Sequence, residues 1–122
     1  MTSKKKILVV DDERGFTRLM KLALPQYEMR EENQSTQALA AAREFQPDLI
    51  LLDFIMPMLN GGELARQISA DPLLRHIPII FLTATVGPVE APTHQFGDFP
   101  FLAKPISAAV LAKCIDEQLA SP

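Results

Sequence analysis

Short runs of consecutive apolar residues recur along the chain, each bounded by polar or turn-forming residues. Such runs cover residues 7–10, 49–52, 79–83 and 99–102, whereas residues 27–31 alternate between apolar and charged side chains. A continuous apolar run of this length is typical of a strand buried on both faces of a parallel sheet, and alternation is typical of a strand near the sheet edge. The pattern therefore predicts five strands.

Helical spacing of apolar residues separates these runs. In the first helix the stripe falls at positions i, i+3, i+4 and i+7, and Pro25 ends the pattern. The second helix is expected to begin with Ser35 as its N-cap and to end before Pro47. The third should span residues 62–70, and the last should begin at Ser107. The predicted inward-facing residues are Phe16, Leu19, Met20 and Ala23 in the first helix, Ala38, Ala41, Ala42 and Phe45 in the second, Leu64, Ala65 and Ile68 in the third, and Leu111, Cys114, Ile115 and Gln118 in the last. Alternating strands and helices predict an α/β fold with a doubly wound parallel sheet.

The segment between the fourth and fifth strands is the irregular part of this pattern. Residues 84–98 contain Pro88 and Pro92, with Gly87 before the first of them. A proline inside a helix costs about 3 kcal/mol or more, so a full helix is not expected here. The sequence predicts an irregular or shortened fourth helix, with at most a single turn over residues 92–96 that Pro92 would begin.

Length and composition place the chain in a broad class. Its 122 residues support a single domain over residues 1–122, with a core over about residues 5–119. The net charge of −3 argues against a nucleic-acid-binding surface, and the apolar runs are far shorter than the roughly 18 residues that span a bilayer. The single cysteine, Cys114, cannot form an internal disulfide, which together with the lack of a signal peptide predicts a cytoplasmic protein.

Charged and hydroxyl side chains follow four of the predicted strands. Asp11 and Asp12 come after the first strand, Asp53 comes after the third, and Thr83 and Lys104 come after the fourth and fifth. Because ligands bind beyond the carboxyl ends of parallel strands, these side chains are expected to form one site. Three carboxylates repel one another by about 4 kcal/mol per pair at roughly 4 Å and an effective dielectric of about 20, and a divalent cation relieves that repulsion. Oxygen ligands alone favour Mg²⁺, with Mn²⁺ as the alternative.

The same side chains suit phosphoryl chemistry. A hydroxyl and an ammonium can stabilise the negative charge on the oxygens of a phosphoryl group during its transfer. One of the carboxylates can then act as the nucleophile and form an acyl phosphate. Asp53 is the expected nucleophile because it ends the most apolar strand, and the turn after it can return backbone oxygens to a metal ion.

Together these motifs resemble the receiver domain of bacterial two-component response regulators, the CheY-like proteins. The resemblance covers essentially the whole chain, from residue 5 to about residue 119. It implies a flavodoxin-like, three-layer α/β/α fold with a five-stranded parallel sheet in the order 2-1-3-4-5. The motifs that carry it are Asp11-Asp12, Asp53-Phe54-Ile55-Met56-Pro57 followed by Gly61, Thr83-Ala84, and Lys104-Pro105.

The resemblance also implies a role for each matching residue. Asp53 would accept a phosphoryl group from the phosphohistidine of a histidine kinase or a histidine phosphotransfer protein. Asp12 would bind Mg²⁺ directly and Asp11 through water, with the Asp53 carboxylate and the backbone carbonyl of Ile55 as further ligands. The domain would act in a phosphorelay and would catalyse only its own phosphorylation and dephosphorylation.

Three further residues would respond to phosphorylation. Lys104 would pair with the phosphoryl oxygens, aimed by a cis peptide bond to Pro105, and Thr83 would move in to bond one of these oxygens. Phe101 would then turn into the space that Thr83 leaves, which would alter the surface of residues 84–119 for an unidentified downstream protein. No nucleic-acid or membrane partner is expected, and the domain would be a monomer or a weak dimer.

Two other functions are compatible with parts of this pattern. A phosphorylation-independent interaction module would keep the fold without using Asp53, Thr83 and Lys104, and the presence of this set argues against it. A phosphatase with an aspartate nucleophile would require an Asp-x-Asp pair after the first strand, where this sequence has adjacent acids. It would also require a cap domain to enclose its substrate, and none is recognisable here.

Overall fold

The structure is a computed structural model that describes residues 4–84, 95–96 and 99–120. From residue 6 to residue 84, strands and helices alternate along the chain. The elements are β1 Lys6–Val10, α1 Arg14–Ala23, β2 Glu28–Glu32, a 3₁₀ helix Ser35–Gln37 that continues into α2 Ala38–Phe45, β3 Leu49–Asp53, α3 Gly61–Ala70, β4 Ile79–Ala84, β5 Gln95–Phe96, β6 Phe99–Lys104 and α4 Ala108–Ala120.

The strands form one sheet in the order β2-β1-β3-β4-β6-β5. Neighbouring strands from β2 to β6 are parallel, whereas the two-residue β5 pairs with β6 in the antiparallel direction. Since β6 is the fifth predicted strand, the five-stranded parallel sheet in the order 2-1-3-4-5 is confirmed. The strand order reverses between β1 and β3, which is the point where sheets of this type bind their ligands.

The sheet is buried on both faces, as its continuous apolar runs predict. Leu8 and Val10 of β1 pack in the cluster that includes residues of α2 and α3, and Ile7 and Val9 pack in the cluster that includes residues of α1 and α4. All four side chains are fully buried, and burying each contributes about 1.5–3 kcal/mol of transfer free energy. The expected three-layer α/β/α arrangement is therefore present.

Helix α1 buries only part of the predicted face. Met20 is buried and Phe16 packs partly buried against the same cluster, but Leu19 is 58% exposed and Ala23 is also exposed. The buried residues of the helix are Thr17 and Met20. The buried Thr17 hydroxyl is paired, since it donates a hydrogen bond to Glu31 Oε1 of β2 at 2.9 Å. Hydrophobic spacing does not predict the burial of a hydroxyl that has such a partner on a neighbouring strand.

Helices α3 and α4 bury most of the residues predicted for them. Cys114 of α4 is half-buried against the core cluster that contains Leu111 and Ile115, and burial raises the pKa of its thiol. In the described part of the chain, none of the helices combines the length and the apolar character needed to cross a membrane. The buried residues are Leu64, Ala65 and Ile68 in α3 and Leu111 and Ile115 in α4.

Two local predictions are wrong. Ser35 is not an N-cap of α2: it lies inside the 3₁₀ helix, and its Oγ donates to the backbone oxygen of Pro57 at 3.0 Å. The helical turn over residues 92–96 is not formed at its last two residues, because Gln95 and Phe96 pair with the edge of β6 as β5. The rest of the predicted irregular segment, residues 85–94 and 97–98, lies outside the described residues.

Asp71 ends α3 and ties it to α2. Its Oδ1 accepts a hydrogen bond from the backbone N–H of Leu73 at 2.8 Å, and its Oδ2 accepts from Nε of Arg43 at 2.7 Å. These two donors hold the pKa of the Asp71 carboxyl below its ordinary value. The folded state therefore stabilises the ionised carboxyl relative to the unfolded chain.

We predict that Asp71→Asn lowers the free energy of unfolding at neutral pH, because the variant loses the charged partner of Arg43. The pKa of Asp71 is lower in the folded state, so its stabilisation is complete above the unfolded-state pKa of about 4 and is lost as the pH falls through the folded-state value. Urea unfolding measured from neutral to acidic pH should show the difference between wild type and variant shrinking. A difference that stays constant or grows toward acid would contradict this prediction.

Glu63→Gln is the matched control for this measurement. Glu63 forms an exposed pair with Arg66 at 3.6 Å within α3. Such a pair contributes less than about 1 kcal/mol, so the control should remain close to wild type across the same pH range.

Candidate functional site

The carboxyl ends of β1 and β3 bring three carboxylates together. The register pairs Val10 with Leu52, so Asp11 and Asp53 follow at neighbouring positions. One carboxylate oxygen from each of Asp11, Asp12 and Asp53 lies within 4.8 Å of the other two. Asp11 and Asp53 are buried, whereas Asp12 is exposed. These three residues, which we call the acidic cluster, were grouped in the sequence by their positions at strand ends.

Lys104 reaches the acidic cluster from the end of β6. Its Nζ lies 2.5 Å from Asp11 Oδ2 and 3.9 Å from Asp53 Oδ2. Glu13 Oε1 is 3.2 Å from the same Nζ, and the centroid of the Phe16 ring is 4.3 Å from it. The ammonium is thus shared between two buried carboxylates and an exposed one, and it lies over an aromatic face that also attracts a cation.

The charge balance of the cluster is visible in the acidity of Asp53. Burial, together with the neighbouring Asp11 carboxylate, raises the pKa of its carboxyl to about 7. Lys104 favours the ionised form, as does the backbone N–H of Ile55, which donates to Asp53 Oδ1 at 3.2 Å, but the two do not offset burial. Asp53 therefore needs additional positive charge nearby to be fully ionised at neutral pH.

For Lys104, the neighbouring charges outweigh the effect of burial on the pKa. Burial by itself lowers the pKa of its ammonium, but the hydrogen bond to Asp11 and the charges of Asp11 and Asp53 outweigh this effect and raise it. The lysine is therefore charged at neutral pH. It supplies part of the positive charge that the carboxylates require, and it leaves the remainder to another cation.

The donor atoms of the cluster fit a divalent cation. Carboxylate oxygens are the ligands that Mg²⁺ and Mn²⁺ take from proteins, and in the described residues the group contains neither a thiol nor an imidazole. Oxygens within 4.8 Å of one another can converge on one ion after small side-chain rotations. A bound dication would also reverse the electrostatic conditions that raise the pKa of Asp53.

Thr83 lies at the end of β4, beside Lys104. The register of β4 and β6 pairs Thr83 with Ala103 and the next residue with Lys104. Thr83 is half-buried. The structure therefore brings the predicted hydroxyl and the predicted ammonium to adjacent positions at the same edge of the sheet.

Phe101 belongs to a group of aromatic rings beneath this edge. Its ring centroid is 5.0 Å from that of Phe81 and 5.1 Å from that of Phe54, and the side chain is half-buried. Phe54 directly follows Asp53 in the chain. Ring contacts thus connect the end of β3 to the middle of β6.

The turns after β3 and β6 carry the remaining predicted features. The peptide bond between Lys104 and Pro105 is cis. The Ile55 side chain is 62% exposed, while its backbone N–H binds the Asp53 carboxylate. The backbone carbonyl of Ile55 as a metal ligand stays a prediction.

Three residues that contact the site were not assigned to it from the sequence: Glu13, Phe16 and Asn33. Glu13 and Phe16 follow Asp11-Asp12 at the start of α1, and that closeness is a signal that could have found them. Asn33 donates from Nδ2 to the backbone oxygen of Asp11 at 2.8 Å. Nothing in an isolated asparagine marks such a contact, which depends on the pairing of β1 with β2.

Comparisons with known proteins agree with this geometry. The family model of the response regulator receiver domain matches residues 7–116. The chain is 38% identical to the response regulator PleD of Caulobacter vibrioides over 109 residues, which are 87% of this chain and 24% of PleD. It is 33% identical to the DNA-binding response regulator MtrA of Mycobacterium tuberculosis over 120 residues, which are 92% of this chain and 51% of MtrA.

A solved structure shares the whole fold. A candidate response regulator from Chloroflexus aurantiacus matches with a TM-score of 0.86 and 28% sequence identity, covering 98% of this chain and 100% of that one. The chain spans about a quarter of PleD and about half of MtrA. The similarity to those two proteins therefore concerns one part of each of them.

Gly61, the first residue of α3, packs directly against the end of β3. Its backbone N–H donates to the backbone oxygen of Phe54 at 2.8 Å. A Cβ atom at this position would lie 2.5 Å from the backbone oxygen of Asp53 and 2.7 Å from Cα of Phe54. Both contacts are with backbone, so no side-chain rotation could relieve them. The absence of a side chain thus allows α3 to begin beside Asp53.

We predict that Gly61→Ala lowers the free energy of unfolding by about 1–3 kcal/mol, the usual cost of overpacking. Gly15→Ala is the control, because a Cβ at Gly15 meets nothing within 4 Å. Gly15 is the second residue of α1, and alanine is favoured over glycine by roughly 0.5–1 kcal/mol at most, so this variant should be at least as stable as wild type. Urea unfolding measures both, and a Gly61→Ala variant as stable as wild type would refute the steric argument.

Proposed function

Because the chain belongs to the response regulator receiver domain family, the signalling modules of two-component systems, we propose that its Asp53 accepts a phosphoryl group in an Mg²⁺-dependent reaction. The donor is the phosphohistidine of a histidine kinase or of a histidine phosphotransfer protein. The observation that carries this proposal is the buried Asp53 carboxylate, grouped with Asp11 and Asp12 and 3.9 Å from Lys104.

The transfer is a displacement at phosphorus. An oxygen of the Asp53 carboxylate attacks the phosphorus atom, and an O–P bond forms as the P–N bond to the donor histidine breaks. The imidazole leaves with the electron pair of that bond and takes up a proton. The product is an acyl phosphate on Asp53, and the domain catalyses only this reaction and the hydrolysis of its product.

The residues around Asp53 would stabilise different negative charges during the transfer. Asp11, Asp12, Asp53 and the backbone carbonyl of Ile55 would hold Mg²⁺, which when bound neutralises charge on the phosphoryl oxygens. Lys104 can leave its contacts with Asp11 and Glu13 to pair with a phosphoryl oxygen, because a phosphoryl group carries more negative charge than the carboxylate it modifies. Thr83 can donate its hydroxyl to another oxygen.

Phosphorylation would then change the neighbouring surface. As Thr83 moves toward the phosphoryl group, Phe101 can turn against Phe81 and Phe54, with which it already packs. This switch would alter the surface of residues 84–119 for a downstream protein. We further propose that the chain is a single cytoplasmic receiver domain over residues 1–122 that acts as a monomer or a weak dimer.

The second candidate, a phosphorylation-independent interaction module, is less well supported. Such a module has no need for an acidic cluster in which burial raises the pKa of Asp53 or for a lysine drawn to it. An unused site of this kind would retain a costly set of buried charges. The geometry therefore favours the phosphoacceptor.

Incubation with Mg²⁺ and acetyl phosphate tests the proposal. Intact-mass spectrometry should show that the wild type gains one phosphoryl group, that Asp53→Asn gains none, and that chelating the metal prevents the gain. Asp48→Asn is the matched control, because it makes the same substitution at an aspartate outside the site. Asp48 Oδ2 accepts a hydrogen bond from the backbone N–H of Lys6, and the side-chain oxygen of asparagine can still accept it. No mass gain in the wild type, or an equal gain in Asp53→Asn, would contradict the proposed function.

A further inference from the structure

The hydrogen-bond ladder between β1 and β2 ends beside the acidic cluster, and a side chain takes the place of its next backbone donor. In a parallel pair, backbone bonds recur at every second residue. The N–H of Asp11 donates to the carbonyl of Glu32 at 3.1 Å, so the next bond would run from the N–H of Gln34 to the carbonyl of Asp11. That N–H donates instead to Glu32 Oε2 at 3.1 Å, and Asn33 Nδ2 donates to the Asp11 carbonyl at 2.8 Å.

Asn33 is itself held by a polar network that reaches α1. Its Nδ2 also donates to Oγ1 of Thr17 at 3.0 Å, and the Thr17 hydroxyl donates to Glu31 Oε1 at 2.9 Å. Thr17 is fully buried, and the other oxygen of Glu31 accepts from Nε of Arg18 at 3.3 Å. A polar network whose members are all paired is rigid, so Asn33 has little freedom to move.

The bond from Asn33 acts on the peptide unit that joins Asp11 to Asp12. The carbonyl oxygen of Asp11 lies in the plane of that peptide, and a peptide unit is rigid. Fixing the oxygen therefore fixes the plane from which the Asp12 side chain departs. Asp12 is the exposed member of the acidic cluster, so its position depends on its backbone more than on burial.

We propose that Asn33 is a positioning residue for the metal site: held by Thr17, its carboxamide fixes the peptide unit between Asp11 and Asp12 and so sets the affinity of the acidic cluster for Mg²⁺. The inference rests on the proposed function, which assigns Mg²⁺ to this cluster. Removing a group that orients a metal ligand typically costs roughly 10- to 100-fold in affinity. The loss of the Asn33 carboxamide should fall in that range.

Calorimetric titration of the folded protein with Mg²⁺ alone tests this directly. Asn33→Ala should bind Mg²⁺ at least about 10-fold more weakly than wild type. Gln34→Ala, a carboxamide truncation at the exposed neighbouring residue, should bind as wild type does, because the Gln34 side chain makes no capping hydrogen bond and its backbone bonds remain. Thr17→Val should also weaken Mg²⁺ binding, whereas Thr17→Ser, which keeps the hydroxyl, should bind Mg²⁺ as wild type does.

A second readout separates positioning from general damage to the fold. Phosphorylation of Asn33→Ala by acetyl phosphate should be slowed most at subsaturating Mg²⁺ and should approach the wild-type rate as Mg²⁺ is raised, because excess metal offsets the lost affinity. General damage to the fold would instead slow it at every Mg²⁺ concentration. Equal Mg²⁺ affinities in wild type and Asn33→Ala, or equal losses in Thr17→Val and Thr17→Ser, would overturn the positioning role alone. A wild type that does not bind Mg²⁺ would instead contradict the proposed function, and this inference with it.

Discussion

Two buried carboxylates, those of Asp11 and Asp53, lie at neighbouring strand ends and share the ammonium of Lys104. The elements around the site hold these charges close together. Lys104 is closer to Asp11, at 2.5 Å, than to Asp53, at 3.9 Å. Burial and the Asp11 charge therefore raise the pKa of Asp53 to about 7. The site is short of positive charge, and this deficit makes it suited to a dication.

The parallel sheet provides the constraint that brings these groups together. Pairing of β1 with β3 sets Asp11 beside Asp53, and pairing of β4 with β6 sets Thr83 beside Lys104. The surrounding contacts then limit how the charges can relax. Gly61 lets α3 pack against the backbone of Asp53, and Asn33 continues the β1–β2 ladder by holding the carbonyl of Asp11.

The sequence was sufficient for the five parallel strands and for the grouping of the acidic cluster with Lys104, because both follow from apolar runs and from the polar residues at their ends. The strand order came from the family resemblance. The sequence was misleading for part of α1, where Thr17 is buried and Leu19 is exposed. Hydrophobic spacing cannot reveal the burial of a hydroxyl that hydrogen-bonds to another strand. Asn33 was missed for the same reason, since its partners are 16 and 22 residues away in the chain.

Thermal unfolding in the presence of increasing Mg²⁺, at constant ionic strength, tests the central claim most directly. A ligand that binds only the folded state raises the melting temperature, and above its Kd the rise grows with the logarithm of the ligand concentration. If the acidic cluster is a site that lacks positive charge, Mg²⁺ should raise the melting temperature of the wild type, and Asp12→Asn should remove most of that rise. A melting temperature that Mg²⁺ does not change, or that rises equally in wild type and Asp12→Asn, would contradict the account.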